Sequence, residues 1–175
     1  MKNLLLVIVS FISLNAMGQS LSYDNLKSLI GERVSDFEDF FKVESSKTDD
    51  NFGDLTVYYE SVKIDDYTLD IVLSTEGKNI NQITVSNSEQ RTSFFKNLGT
   101  DIQKSTPEKK NYKTIYVSLV KNKSNKKTFY ESINDLIEVL KNPSTNMTEN
   151  YGLLESQTLN ATISIDSEKS VMTIN

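Results

Sequence analysis

The chain has 175 residues, 19 basic and 24 acidic side chains, and no histidine, cysteine or tryptophan. Without His or Cys it has no Ser-His-Asp triad, no thiol nucleophile, no zinc or haem ligand set of the usual kind and no disulfide framework. The length suits a single domain.

Residues 1–18 have the form of a signal peptide. Lys2 is the positive start, Leu4 to Leu14 the apolar stretch, and Ala16-Met17-Gly18 the small-x-small site that predicts a mature start at Gln19. The apolar stretch is too short to span a bilayer, which takes about 20 residues, so no membrane span is expected after removal. The compact form and the Gly18-Gln19 junction resemble the signals of Gram-negative secreted proteins. No cysteine follows, so no lipid anchor is expected, and the location implied is periplasmic or secreted. Loss of Lys2 leaves residues 19–175 as one domain with 18 basic and 24 acidic groups, net −6.

In chain order, Ser22 caps a short helix that carries Leu26, Leu29 and Ile30 and ends at Gly31. The capping box Ser35-Asp36-Phe37-Glu38 announces a second helix with Phe37, Phe40 and Phe41 on one face. After the polar stretch 44–53, three strands follow: 55–60, 67–74 and a run around Ile83 and Val85. A third helix starts near Asn87–Ser88 and buries Phe94, Phe95, Leu98 and Ile102. A longer strand runs from Tyr112 to Lys121. The lysine-rich loop 122–127 then leads to a second capping box, Thr128-Phe129-Tyr130-Glu131, and a fourth helix with Phe129, Ile133, Leu136, Ile137 and Leu140. Residues 143–150 form a polar loop. A hairpin closes the chain, with Leu159, Ala161, Ile163 and Ile165 alternating before the turn 167–169 and the strand Val171–Ile174.

The sum is an α+β domain of order ααβββαβαββ, with a mainly antiparallel sheet of about five to six strands and helices packed on one face. The tripeptides Phe40-Phe41-Lys42 and Phe94-Phe95-Lys96 echo each other but are too short to mark a duplication.

Charge is uneven. Between Glu32 and Asp70 there are twelve acids against four bases, and between Lys104 and Lys127 eight lysines against Glu108 alone. The lysine stretch has no arginine, whose planar fork nucleic-acid sites favour. It therefore reads as a guarded sheet edge rather than a nucleic-acid patch.

Searches for chemistry end quickly. Ser118-Leu119-Val120-Lys121 and Ser124-Asn125-Lys126-Lys127 match the Ser-x-x-Lys spelling, but neither opens a buried helix and the Lys-Thr-Gly partner is missing. Asp49-Asp50-Asn51-Phe52-Gly53-Asp54 looks like a calcium loop, yet the sixth position is Asp54 instead of Gly and the twelfth, Glu60, lies in a strand. No metal and no cofactor are expected.

One constellation remains. If Tyr59 faces Ile71 and Val57 faces Leu73 on the buried side, Glu60 stands opposite Asp70 on the other face, beside Tyr58. Two carboxylates so opposed would match the ~5–5.5 Å separation of a retaining glycosidase. A register one residue different, or neutralisation by Lys63 or by lysines of 104–127, would dissolve the pair. The first reading is thus an exported non-catalytic module that binds a protein or cell-envelope component through Tyr58, Glu60 and Asp70, for example an inhibitor or immunity-type protein. The alternative is a carboxylate-dependent glycan hydrolase using Glu60 and Asp70.

Overall fold

The computed structural model describes residues 20–109, 112–113, 115–121, 124–142 and 144–175; the signal segment lies outside them. The described residues form an α+β domain built on one antiparallel sheet of nine strands, with four helices. In chain order the elements are α1 (Tyr23–Ser28), α2 (Val34–Phe41), β1 (Lys47–Asn51), β2 (Asp54–Ile64), β3 (Tyr67–Glu76), β4 (Asn79–Asn87), α3 (Arg91–Ser105), the short pair β5 (Glu108–Lys109) and β6 (Tyr112–Lys113), β7 (Ile115–Lys121), β8 (Lys126–Tyr130), α4 (Ile133–Leu140), β9 (Asn150–Ser156), β10 (Ala161–Ile165) and β11 (Ser170–Ile174). The large sheet runs β1-β2-β3-β4-β11-β10-β9-β7-β8.

The helix starts follow local chemistry. Ser22 accepts the Asn25 N–H and opens α1, and Gly31 (φ +92°) turns the chain away after it. The second helix begins earlier than the box at Ser35 implies: Asp36 accepts the Arg33 N–H at 3.1 Å, so the reciprocal carboxylate is Asp36 and not Glu38. Asn87, expected to start α3, is instead the last residue of β4, and its side chain accepts the Gln90 N–H at 2.7 Å to set up the helix that follows.

Strand count is the main correction, nine in the large sheet in place of five to six. β1 occupies part of the stretch read as polar loop, and all five of its residues are exposed; with neither face covered, it has no alternation to reveal it. β8 takes residues read as lysine loop and helix start. The fourth helix therefore begins at Ile133, capped by Ser132, which accepts the Asp135 N–H. β9 follows directly on the polar loop and turns Asn150, Gly152 and Ser156 inward while Tyr151, Leu153 and Glu155 face outward. Small and polar side chains on the buried side invert the usual pattern.

One face of the sheet is the core face. Val57, Tyr59, Leu69, Ile71, Leu73, Ile83, Val85, Val117, Leu154, Ile163, Met172 and Ile174 are buried there. The helices lie against it: α3 along β9 to β11, α4 on β7 to β9, Phe37 of α2 on Tyr59 at 5.3 Å, and α1 beside α3. The C-terminal strand β11 is the middle strand of the nine, with β4-β3-β2-β1 on one side and β10-β9-β7-β8 on the other. The echoing tripeptides do not occupy equivalent places. Phe40-Phe41-Lys42 ends α2, whereas Phe94-Phe95-Lys96 lies in the first turns of α3.

At the α1–α3 contact burial pushes the Asp101 carboxyl above its usual 3.8, opposed by Lys104 and a Tyr23 backbone hydrogen bond, with Asp24 adding repulsion. The folded chain then keeps a proton over a window in which the unfolded chain releases it, so stability is lost as pH rises through that window. Asp101→Asn is expected to gain stability relative to the wild type as pH rises from below 3.8 towards neutrality, measured by urea unfolding at several pH values.

Candidate functional site

The open face of β1, β2 and β3 carries the residues singled out from sequence. Val57 pairs with Leu73 and Tyr59 with Ile71, as the alternation requires. The next ladder pair, however, is Val62 with Leu69, so Glu60 and Ser61 together face Asp70. This is a β-bulge, and it removes the direct opposition of Glu60 and Asp70. Ser61 takes φ +54°, and its N–H, lost to the ladder, is donated to Asp70 Oδ1 at 2.8 Å. The shifted register resolves the repulsion between carboxylates by giving one of them a backbone amide.

Around the bulge the chain before β1 completes the site. Ser46 donates its N–H to the Tyr58 carbonyl at 2.7 Å, and its Oγ accepts the Glu60 N–H at 3.0 Å. Lys47 sits 5.3 Å from the centre of the Tyr58 ring and donates to Asp49 at 2.8 Å. Tyr58, Glu60, Ser61, Asp70 and Val72 line a wide, open concavity of about 380 Å³. Sequence reasoning missed Ser46, Lys47 and Ser61, because their places depend on a strand with no alternation and on a bulge with no glycine. The lysines of β7 and β8 lie six strands or more from β2, about 30 Å at ~4.8 Å per strand, and do not neutralise this site.

The acidic excess has a partly structural origin. Five of the twelve acids accept backbone amides: Asp36 from Arg33, Asp50 from Gly53, Asp54 from Gly77, Asp65 from Leu21 and Asp70 from Ser61. Glu38 accepts the Tyr59 hydroxyl, whose pKa is raised by burial first and by Glu38 second. The calcium-like stretch is the β1–β2 hairpin turn, and no group of three or more potential metal ligands occurs among the described residues. At its tip Phe52 is fully exposed (106 %) with φ +58°, a left-handed conformation that a bulky residue rarely adopts.

The other sequence candidates separate in space. Ser118 and Lys121, three apart on β7, fall on opposite faces of the strand; Ser118 is buried and its Oγ has no partner among the described residues. Another concavity, about 530 Å³, opens between α3 and α4 beside Lys96, Asn134, Glu138 and Lys141. Among the described residues no helix is long and apolar enough to cross a membrane. No family model, curated protein or solved structure matches the chain.

A contrast tests the two carboxylates. Glu60→Gln is expected to leave stability within about 0.5 kcal/mol, whereas Asp70→Ala is expected to cost about 1 kcal/mol by stripping the Ser61 amide of its acceptor. Urea midpoints of the two variants measure the difference.

Proposed function

We propose that the chain is an exported, non-catalytic binding module acting in the periplasm or outside the cell, and that its acidic edge docks a basic protein or cell-envelope component. The observation that carries this reading is Phe52: a fully exposed aromatic held in left-handed backbone at a hairpin tip flanked by Asp49, Asp50 and Asp54. Folding gains nothing from that ring, and the conformation costs about 1–2 kcal/mol, while exposed aromatics are the usual anchors of protein interfaces. Tyr58 and Glu60 extend the same surface along β2. An inhibitor or immunity-type role, with acids meeting a basic target, is the specialised form of this reading.

Phe52→Asn separates binding from folding. Asparagine tolerates the left-handed region, so stability is expected to hold or rise slightly, while retention of the envelope partner is expected to fall at least tenfold. Immobilised chain is challenged with envelope extract and washed at rising salt. Binding that survives both Phe52→Asn and about 0.15 M salt, where the Debye length is ~8 Å, would sink the proposal.

A second reading, a glycan hydrolase using Glu60 and Asp70, draws on the fact that both carboxylates line one concavity. Against it, the Ser61 amide occupies one Asp70 oxygen, and the open concavity offers no water-excluded cleft to set two carboxyl groups apart as acid and nucleophile. Glycan cleavage lost in Glu60→Gln would support it.

A further inference from the structure

The two edges of the sheet carry net charges of opposite sign. Among the described residues β1 pairs only with β2, and β8 only with β7, so each is an outer strand with one side not paired to another described strand. β1 carries exposed Lys47, Asp49 and Asp50, with Lys47 bonded to Asp49, for a net charge of −1; β8 carries exposed Lys126 and Lys127, net +2. Two β8 edges brought together would oppose lysines to lysines, and two β1 edges would bring net negative charge together. Unlike edges attract.

The lysine edge also holds an internal conflict. Lys126 lies directly across the ladder from Lys121, and both are exposed, an arrangement that costs stability unless an anion stands nearby. Lys127 donates to Glu155 at 2.7 Å and Glu149 borders the same concavity as Lys121, which leaves Lys126 as the outermost cation of this edge.

We propose that a second copy of this chain docks edge to edge, β1 of one copy beside β8 of the next, so that the sheet continues from molecule to molecule. All pairings in the nine-stranded sheet are antiparallel, so its two outer strands run in the same direction. A copy displaced sideways in the sheet plane therefore presents β1 to β8 with the helices on the same side. In this parallel register Asp49 comes level with Lys127 on the open face, and on the helix side Asp50 comes level with Thr128, diagonal to Lys126 two residues away. The contact is heterologous, so it forms open rows and not a closed dimer. Edge strands of five residues bury little area, which places the association among weak, salt-sensitive contacts.

Charge exchange tests it. Thr48→Lys/Asp49→Lys makes the β1 edge basic, and Lys126→Glu/Thr128→Glu makes the β8 edge acidic; all four positions are exposed, and Asp50 and Lys127 keep their contacts with Gly53 and Glu155. Sedimentation velocity over a concentration series is expected to show the wild type growing in mean size at low salt and reverting towards monomer above about 0.15 M. Each double variant alone is expected to stay monomeric at low salt, and an equimolar mixture of the two to associate again. A wild type that is monomeric throughout at low salt, association retained by either variant alone, or a mixture that stays monomeric would each overturn the proposal. Circular dichroism of each variant separates a lost contact from a lost fold.

Discussion

Tyr59→Ala is expected to destabilise the fold by about 3–5 kcal/mol, the range for removing a large ring from a packed core. Tyr59 has no exposed surface, its ring lies 5.3 Å from Phe37, and Phe37 in turn lies 5.0 Å from Phe41, so one deletion opens a void under the whole of α2. Tyr59→Phe keeps the ring and removes only the hydroxyl bond to Glu38, at a cost of about 1 kcal/mol. Urea denaturation should rank them accordingly. The same pair tests the support of the candidate site, because Tyr59 is the last regular ladder residue before the bulge. Partner binding should weaken in the alanine variant and persist in phenylalanine, and an alanine variant with an unchanged midpoint would contradict this seating of α2.

Gly152→Ala is expected to cost about 1–3 kcal/mol through overpacking. A Cβ there would lie 2.9 Å from Leu140 Cδ1 and 3.0 Å from both Ile165 Cγ2 and Leu136 Cδ2, so three neighbours from α4 and β10 would have to give at once. Gly99→Ala is the control. Its Cβ would meet one close atom, the Ile133 Cδ1 at 2.5 Å, the far end of a side chain that can rotate. Alanine also favours the helix by about 1 kcal/mol over glycine. Thermal unfolding should find Gly152→Ala clearly below the wild type and Gly99→Ala much closer to it. The reverse order would mean that α4 does not rest on β9.

These two glycines mark where sequence reading works and where it stops. Gly99 lies inside a stripe of Phe94, Phe95, Leu98 and Ile102, all buried, and the helix is legible in spite of it. Gly152 is where a strand was missed, since the inward position is left empty to admit Leu136 and Leu140 of the preceding helix. The register of β2 on β3 was legible at Val57–Leu73 and Tyr59–Ile71 because one face of each strand is apolar. It ceased to be legible one residue later. Nothing local distinguishes Ser61 as the residue that leaves the ladder; the bulge exists with Asp70 on the neighbouring strand to receive its amide.

By itself the sequence determined the α+β class, the helix stripes, the C-terminal hairpin and the separation of acidic from basic halves. Each of these is written in residues within a turn or a strand of one another, where a single buried face imposes a period. The tertiary structure alone decided that the acidic half became one edge of the sheet and the lysines the other, that the polar segment 47–51 became a strand, and that Asp70 serves Ser61 and does not confront Glu60. The first depends on strand order, set by contacts between residues far apart in the chain; the other two arise inside neighbouring hairpins, where β1 has no covered face to impose a period and no residue type marks the bulge at Ser61.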